Sequence, residues 1–166
     1  MKQIPNPQPK RYSPFRVLAS RRRLILGIAL VWMSMWVFDW SRDFTENRAS
    51  TDPESDTPDL RPLRTPESVE KVAEKIEQWV TEQPNWELQS VDATAAITKM
   101  HLTRRSRLFR FVDDVHVTIQ RPNDRERTEV SAVSQSRVGK GDLGQNPRNL
   151  KKLLGDLRAQ RTQDPQ

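Results

Sequence analysis

Three short runs carry the side chains that could do chemistry. They are Phe111-Val112-Asp113-Asp114, Ser134-Gln135-Ser136-Arg137, and a glycine-rich stretch from Gly139 to Asn146 that holds Lys140, Asp142 and Gly144. Neighbouring residues of a strand point to opposite faces, so Asp113 and Asp114 must face opposite ways. Asp113 shares its side with Val115 and Val117 and is expected inside. A carboxylate removed from water needs a charged or hydrogen-bonding partner. Arg137 is the expected partner, with Ser134 and Ser136 as further donors. Such a group either fixes a loop against the sheet or lines a polar pocket for a small ligand. Asp114 shares its side with His116, and with Asp142 the two could offer oxygen and imidazole ligands to a weak divalent site. A solvated polar face explains the same pattern, and no metal is expected. A Ser-His-Asp set can be written from Ser136, His116 and Asp114. No nucleophile-elbow pattern surrounds the serine, so no residue is assigned a catalytic role.

A glycine loop ahead of a helix can cradle an anion with its backbone N–H groups, here with help from Lys140 and Arg148. The loop lacks the spacing and the Lys-Ser/Thr pair of a Walker motif, and no cofactor is expected. A tight connection in which glycine permits positive φ accounts for the same residues. The candidate binding set is therefore Asp113, Asp114, Ser136, Arg137, Lys140, Asp142 and Asn146.

The elements that must position these residues follow from periodicity. A helix is predicted from near Thr65, with Thr65 as cap, Pro66 in the first turn and Glu67 beside the positive helix end. Its apolar face is Val69, Val72, Ala73, Ile76, Trp79 and Val80, and Pro84-Asn85 ends it. Strands are predicted over residues 86–91, 95–102, 115–120 and 128–136. In the third, Val115, Val117 and Ile119 alternate with His116, Thr118 and Gln120, so one side is buried. Arg121-Pro122-Asn123-Asp124 makes the turn to the fourth. Asn146 is the expected cap of a last helix opened by Pro147 and striped by Leu150, Leu153, Leu154 and Leu157. The predicted class is α+β: an antiparallel four-stranded sheet with a helix before it and a helix after it, both on one face, preceded by one N-terminal transmembrane helix.

FVDDV, then SQSRVGKGDLGQN, then a helix resemble the domain-of-unknown-function family 1499. That family's pattern runs F-x-D-D-V and then R-S-x-S-R-x-G-x-x-D-x-G-x-N-x-R-R-I. The resemblance covers roughly residues 66–158. It implies an α+β domain of a kind found in bacterial and plastid membranes, and no established activity. Val133 stands where the family tends to have Arg, and Gln145-Asn146-Pro147-Arg148-Asn149-Leu150 replaces a run with two adjacent arginines.

Residues 24–38 read LILGIALVWMSMWVF, opening at Leu24 and interrupted only by Ser34. At ~1.5 Å per residue this is slightly short for a ~30 Å hydrocarbon core. Arg21, Arg22 and Arg23 can snorkel at one end, while Trp36 and Trp40 suit the opposite interface. The bases precede the segment, which places the N-terminus in the cytoplasm by the positive-inside rule. A signal peptide needs a small-x-small cleavage site, and Val37, Phe38, Asp39, Trp40 and Ser41 offer none, which favours an uncleaved signal anchor. Trp32, Trp36 and Trp40 share one helical face, suited to lipid contact or to a partner helix.

Composition sets the remaining bounds. The 166 residues contain no cysteine, which excludes disulfides, thiolate chemistry and Cys-based zinc sites. The net charge of +6 comes from the first 40 residues, which hold seven bases and one acid; the rest hold 21 of each. A nucleic-acid-binding domain is ordinarily basic itself, so nucleic acid is not an expected partner. Residues 41–92 carry net −7 and residues 93–166 net +7, so the basic half could face the acidic half or anionic headgroups. The expected organisation is a basic cytoplasmic tail (1–23), a transmembrane anchor (24–40), a disordered acidic linker (41–64), the α+β domain (65–160) and a disordered tail (161–166). The expected partners are the lipid bilayer and either a membrane protein or an anionic lipid. The expected role is a non-enzymatic, extracytoplasmic binding or assembly module, with an enzyme or small-ligand domain built on the Asp/Arg cluster and the glycine loop as the alternative.

Overall fold

The computed structural model describes residues 27–28, 46–94, 96–106, 110–122, 126–139 and 142–163. The chain divides into a unit of residues 1–37, of which only Gly27 and Ile28 are described, as helix, and a unit of residues 38–166. Among the described residues no helix is long and apolar enough to cross a membrane. Apart from Gly27 and Ile28, the predicted span with Leu24, Trp32, Trp36 and Trp40 lies outside them.

The second unit is an antiparallel sheet with two helices on one face. Its strands are β1 (Arg48–Ser50), β2 (Leu63–Thr65), β3 (Trp86–Ala93), β4 (Ile97–Arg105), β5 (Val112–Gln120) and β6 (Thr128–Ser136). The helices are α1 (Val69–Glu82) and α2 (Gln145–Gln163). Strand order is β1-β6-β5-β4-β3, and β2 also pairs with β6. The alternation read in β5 is present, and β6 alternates in the same way. Asp113, Val115, Val117 and Ile119 are buried opposite Ser136, Ser134, Ala132 and Val130.

The sheet is thus six-stranded rather than four-stranded, and residues 46–64 are not a disordered linker. β1 lies against Val133, Ser134 and Gln135, and β2 against Thr128, Glu129 and Val130. Together they form one edge strand interrupted by an excursion that holds a 3-10 turn, Pro58–Leu60. These strands are three residues long and bury only Ala49, Leu63 and Thr65. A strand with one or two inward residues leaves no period to read. Pairing also completes the backbone hydrogen bonds of β6, which an edge would leave open.

Helix α1 starts at Val69, later than the predicted Thr65. Ser68 is its cap, accepting from the Lys71 amide at 3.2 Å, while Thr65 is a buried strand residue. Its predicted face is buried in full: Val69, Val72, Ala73, Ile76, Trp79 and Val80. Trp79 meets Trp86 edge-on at 4.9 Å and donates its indole N–H to Asp156 of α2 at 2.8 Å. Leu150, Leu153, Leu154 and Leu157 carry α2 onto the same face. Each such side chain contributes roughly 1.5–3 kcal/mol on burial. The other face of the sheet carries no helix among the described residues.

β5 begins at Val112 rather than at the predicted residue 115, so Asp113 and Asp114 belong to the strand. β4 extends to Arg105, bringing Arg104 opposite Asp113 and Thr103 opposite Asp114. Replacement of Leu63 tests whether residues 46–64 belong to the fold. Leu63→Ala should lower unfolding stability by about 2–4 kcal/mol in chemical denaturation, as for a buried leucine. A change near zero would restore the linker reading.

Candidate functional site

The inward side chains at the end of β5 and β6 form a closed hydrogen-bond network with the first turns of α2. Ser136 donates its hydroxyl to Asp113 Oδ1 at 2.6 Å, and Asn149 Nδ2 donates to Asp113 Oδ2 at 2.9 Å. Ser134 donates to Asn146 Oδ1 at 2.6 Å and accepts from Asn149 Nδ2 at 3.1 Å. Asn146 Nδ2 donates to the Asn47 carbonyl at 2.6 Å and to Ser136 Oγ at 3.1 Å. Arg104 Nη1 stands 3.6 Å from Asp113 Oδ2, an ion pair too long to be a hydrogen bond. All five side chains are buried, with Ser134 and Asn146 at zero exposure.

This corrects the expected pairing. Asp113 does point inward and Ser136 is its donor, but Arg137 is not its partner, and Ser134 does not reach it directly. Arg137 lies on the opposite side, where its Nε and Nη2 grip Asp114 Oδ2 and Oδ1, both at 2.7 Å. The reason is the pleat: Ser136 is inward, so the next residue turns outward, and Asp114 is the carboxylate there. Asp114 also meets His101 Nε2 at 2.7 Å, and the His101 ring stacks on His116 at 4.6 Å. The Arg137 hydrogen bond, and behind it the His101 bond, hold the Asp114 carboxyl at about 2, against the opposing pull of partial burial. The same pair raises the Arg137 guanidinium above its ordinary value.

The sheet separates the members of the two paper constellations. Ser136 is on the helix-covered face, while His116 and Asp114 are on the open face, so no Ser-His-Asp set forms. Asp142 is equally remote from metal duty. Its Oδ1 accepts from the Gly144 amide at 2.8 Å and its Oδ2 from the Asn146 amide at 2.6 Å. Among the described residues no group of three or more His, Asp or Glu could hold a metal ion. Asp142 is therefore the cap of α2, in place of Asn146, which enters the first turn with its side chain buried. Its carboxylate occupies the amide positions that an anion at the helix start would need. Leu143 and Gly144 follow with φ of 53° and 73°, and Gly139 has φ of 95°. Glycine's freedom explains the last two, while Leu143 takes the left-handed conformation at a cost. Lys140 lies outside the described residues.

The sequence reading missed Asn149, Arg104, His101 and Asn47. Asn149 had a legible signal: it stands three residues after Asn146 on the side of the leucine stripe, two amides on a buried helix face. The others had none, because strand register and the β1 segment decide them. Basic residues of α2 also make contacts within the domain. Arg148 donates to the Leu143 carbonyl at 2.6 Å, Arg158 to the Arg61 carbonyl at 2.8 Å, and Lys152 sits 5.7 Å above the Trp79 ring while pairing with Asp156.

Fold and site together define an α+β domain whose motif residues lock the β6–α2 connection against the sheet. The family described as "Protein of unknown function (DUF1499)" matches residues 42–157, and the chain belongs to that family. The match begins before β1, in keeping with β1 and β2 as parts of the domain. No curated protein and no solved structure matches the chain.

Two outcomes distinguish the two faces. Asn146→Ala takes one donor from the partly buried Asn47 carbonyl and one partner from each of the Ser134 and Ser136 hydroxyls, and should cost at least about 1–3 kcal/mol in denaturation. Arg137→Ala removes an exposed pair and should cost less than about 1 kcal/mol near pH 7. Its effect should depend on pH. Asp114 has a lowered folded-state value, so its contribution is present above the unfolded carboxylate range and is lost as pH falls toward about 2. Melting curves from pH 2 to pH 5 should therefore show a smaller rise in stability for Arg137→Ala than for the unaltered protein.

Proposed function

We propose that this is a single-pass membrane protein whose domain, on the far side of the membrane from a basic cytoplasmic N-terminus, is a non-enzymatic binding or assembly module. The anchor reading is supported by the apolar run of residues 24–38, the bases ahead of it and the tryptophans at its end. The non-enzymatic reading is supported by one observation: the motif side chains within the described residues are spent on one another. Asp113, Ser134, Ser136, Asn146 and Asn149 satisfy each other, and Asp142 caps α2. A general acid, base or nucleophile must reach a substrate; of these side chains Asn149 borders a cleft, and its amide already donates to Asp113 and Ser134. The motif ties the end of β6 to the start of α2, and loops positioned by such a scaffold suit recognition.

A second reading has its own observation. A cleft of about 470 Å³ opens beside the network between the α1–β3 turn and α2. Arg104, Arg148 and Lys152 line it with Asn85, Gln145 and Asn149, and no carboxylate does. Its chemistry suits a small anion.

Reporter fusions test the topology. Alkaline phosphatase joined after residue 166 should be active and the same enzyme joined ahead of residue 1 inactive; the reverse pattern would overturn the orientation. Native mass spectrometry of the full-length protein, released gently from its own membrane, tests the role. A protein partner at fixed stoichiometry is the expected result. A bound small anion with no protein partner would replace the assembly reading with the cleft.

A further inference from the structure

One end of the domain combines exposed apolar side chains with cations. Phe111, Val138 and Leu143 are 49 %, 59 % and 43 % exposed. They come from two connections that leave the sheet side by side. The Arg137 amide donates to the Val112 carbonyl at 3.0 Å, so Phe111 and Val138 leave the β5–β6 ladder next to each other. Leu143 stands in the β6–α2 connection, which Asn47 Nδ2 ties down at the Gly139 carbonyl (3.0 Å). At the opposite end, the described residues of the β3–β4 and β5–β6 turns include none of the exposed large hydrophobics.

The apolar residues alternate with arginines. Arg110 precedes Phe111, Arg137 precedes Val138, and Arg105 faces Val112 across the ladder. Arg105 and Arg110 line a cleft of about 400 Å³ with Thr103 and Ser106, a donor set suited to a phosphate oxygen; Glu87 is the one acid in its lining. Arg110 and Leu143 are the two non-glycine residues with positive φ among those described, at 55° and 53°. The backbone holds these exposed side chains out in an unfavourable conformation, a cost of a kind that clusters at functional sites.

The chain enters the domain at this same end. The Asn47 carbonyl is held by the Ser136 amide at 2.9 Å and by Asn146 Nδ2 at 2.6 Å. Seven residue steps separate Asn47 from Trp40, the last residue of the expected anchor. At ~3.3–3.6 Å per residue they span no more than about 25 Å. A tether of that length lets the entry end of the domain reach the headgroups. Exposed apolar side chains at an end that also carries arginines match an interface of anionic headgroups over acyl chains.

The geometry points to this end as a membrane-docking surface: Phe111, Val138 and Leu143 insert into the bilayer interface, and Arg105 and Arg110 hold anionic phosphate headgroups. The inference rests on the anchor reading above, and the test separates the two. The chain has no cysteine, so single substitutions can carry a nitroxide label. Phe111→Cys, Val138→Cys, Leu143→Cys, Trp32→Cys and the control Ala96→Cys are made in the full-length protein. Each is reconstituted in nanodiscs of phosphatidylcholine, alone or mixed with phosphatidylglycerol, and probed by collision with oxygen and with a water-soluble nickel chelate.

With phosphatidylglycerol present, labels at 111, 138 and 143 should shift from nickel-accessible to oxygen-accessible, while the label at 96 stays in water. Arg105→Glu combined with Arg110→Glu, both exposed, should abolish the shift at 138 and leave the melting temperature unchanged. Labels at 111, 138 and 143 in water with the label at 32 in hydrocarbon would overturn the docking surface and leave the anchor. Labels at 32 and at all three docking positions in water would overturn both. Equal immersion in the two lipid mixtures would overturn the role given to anionic headgroups.

Discussion

The hydrogen bonds of Asn146 are the constraint on which the rest of the domain depends. One buried amide joins the helix α2, Ser134 and Ser136 of β6 and the carbonyl of Asn47 ahead of β1. Three segments distant in the chain are thereby fixed to one point. Each bond is modest by itself, but a buried polar group left without a partner is costly, so the arrangement admits few alternatives. Asn149 extends the same logic to Asp113, and through it to Arg104 on β4. The network is the polar counterpart of the leucine stripe: the leucines supply the burial energy, and the amides set the register.

Around that point the two faces of the sheet hold different chemistry. The covered face carries a carboxylate satisfied by a hydroxyl and an amide. The open face carries a carboxylate gripped by Arg137 and His101, partly exposed to solvent. Consecutive residues, Asp113 and Asp114, serve both. Removing a partner has different consequences on the two sides, because water can replace a lost contact only on the open one. The glycine loop between β6 and α2 is likewise built from within. Asp142 supplies the negative charge that the start of α2 favours, and it accepts the amides that a bound anion would otherwise claim.

Parts of this were legible in the chain and parts were not. The apolar faces of α1 and α2 and the alternation of β5 and β6 follow from periodicity alone, since a buried face must recur at 3.6 or 2 residues. The inward direction of Asp113 follows from the same alternation. Its partnership with Asn149 did not, because that side chain lies on another element and reaches Asp113 only through the packing of α2 on the sheet. Thr65 looked like a helix cap because Pro66 and Glu67 follow it, yet Ser68 caps just as well and leaves Thr65 free to pair with Thr128.

What the sequence determined by itself is the class of the domain, its two helices, its four long strands, the motif residues and the apolar run near the N-terminus. These depend on local pattern, and local pattern needs no partner to be read. Tertiary structure alone decided that residues 46–64 supply two further strands, that Asn149 and Arg104 join the Asp113 network, and that His101 meets Asp114. It also decided that Phe111, Val138 and Leu143 emerge together. Each of these joins residues remote in sequence, and a contact across such a distance is set by register and packing, which no window of the chain contains.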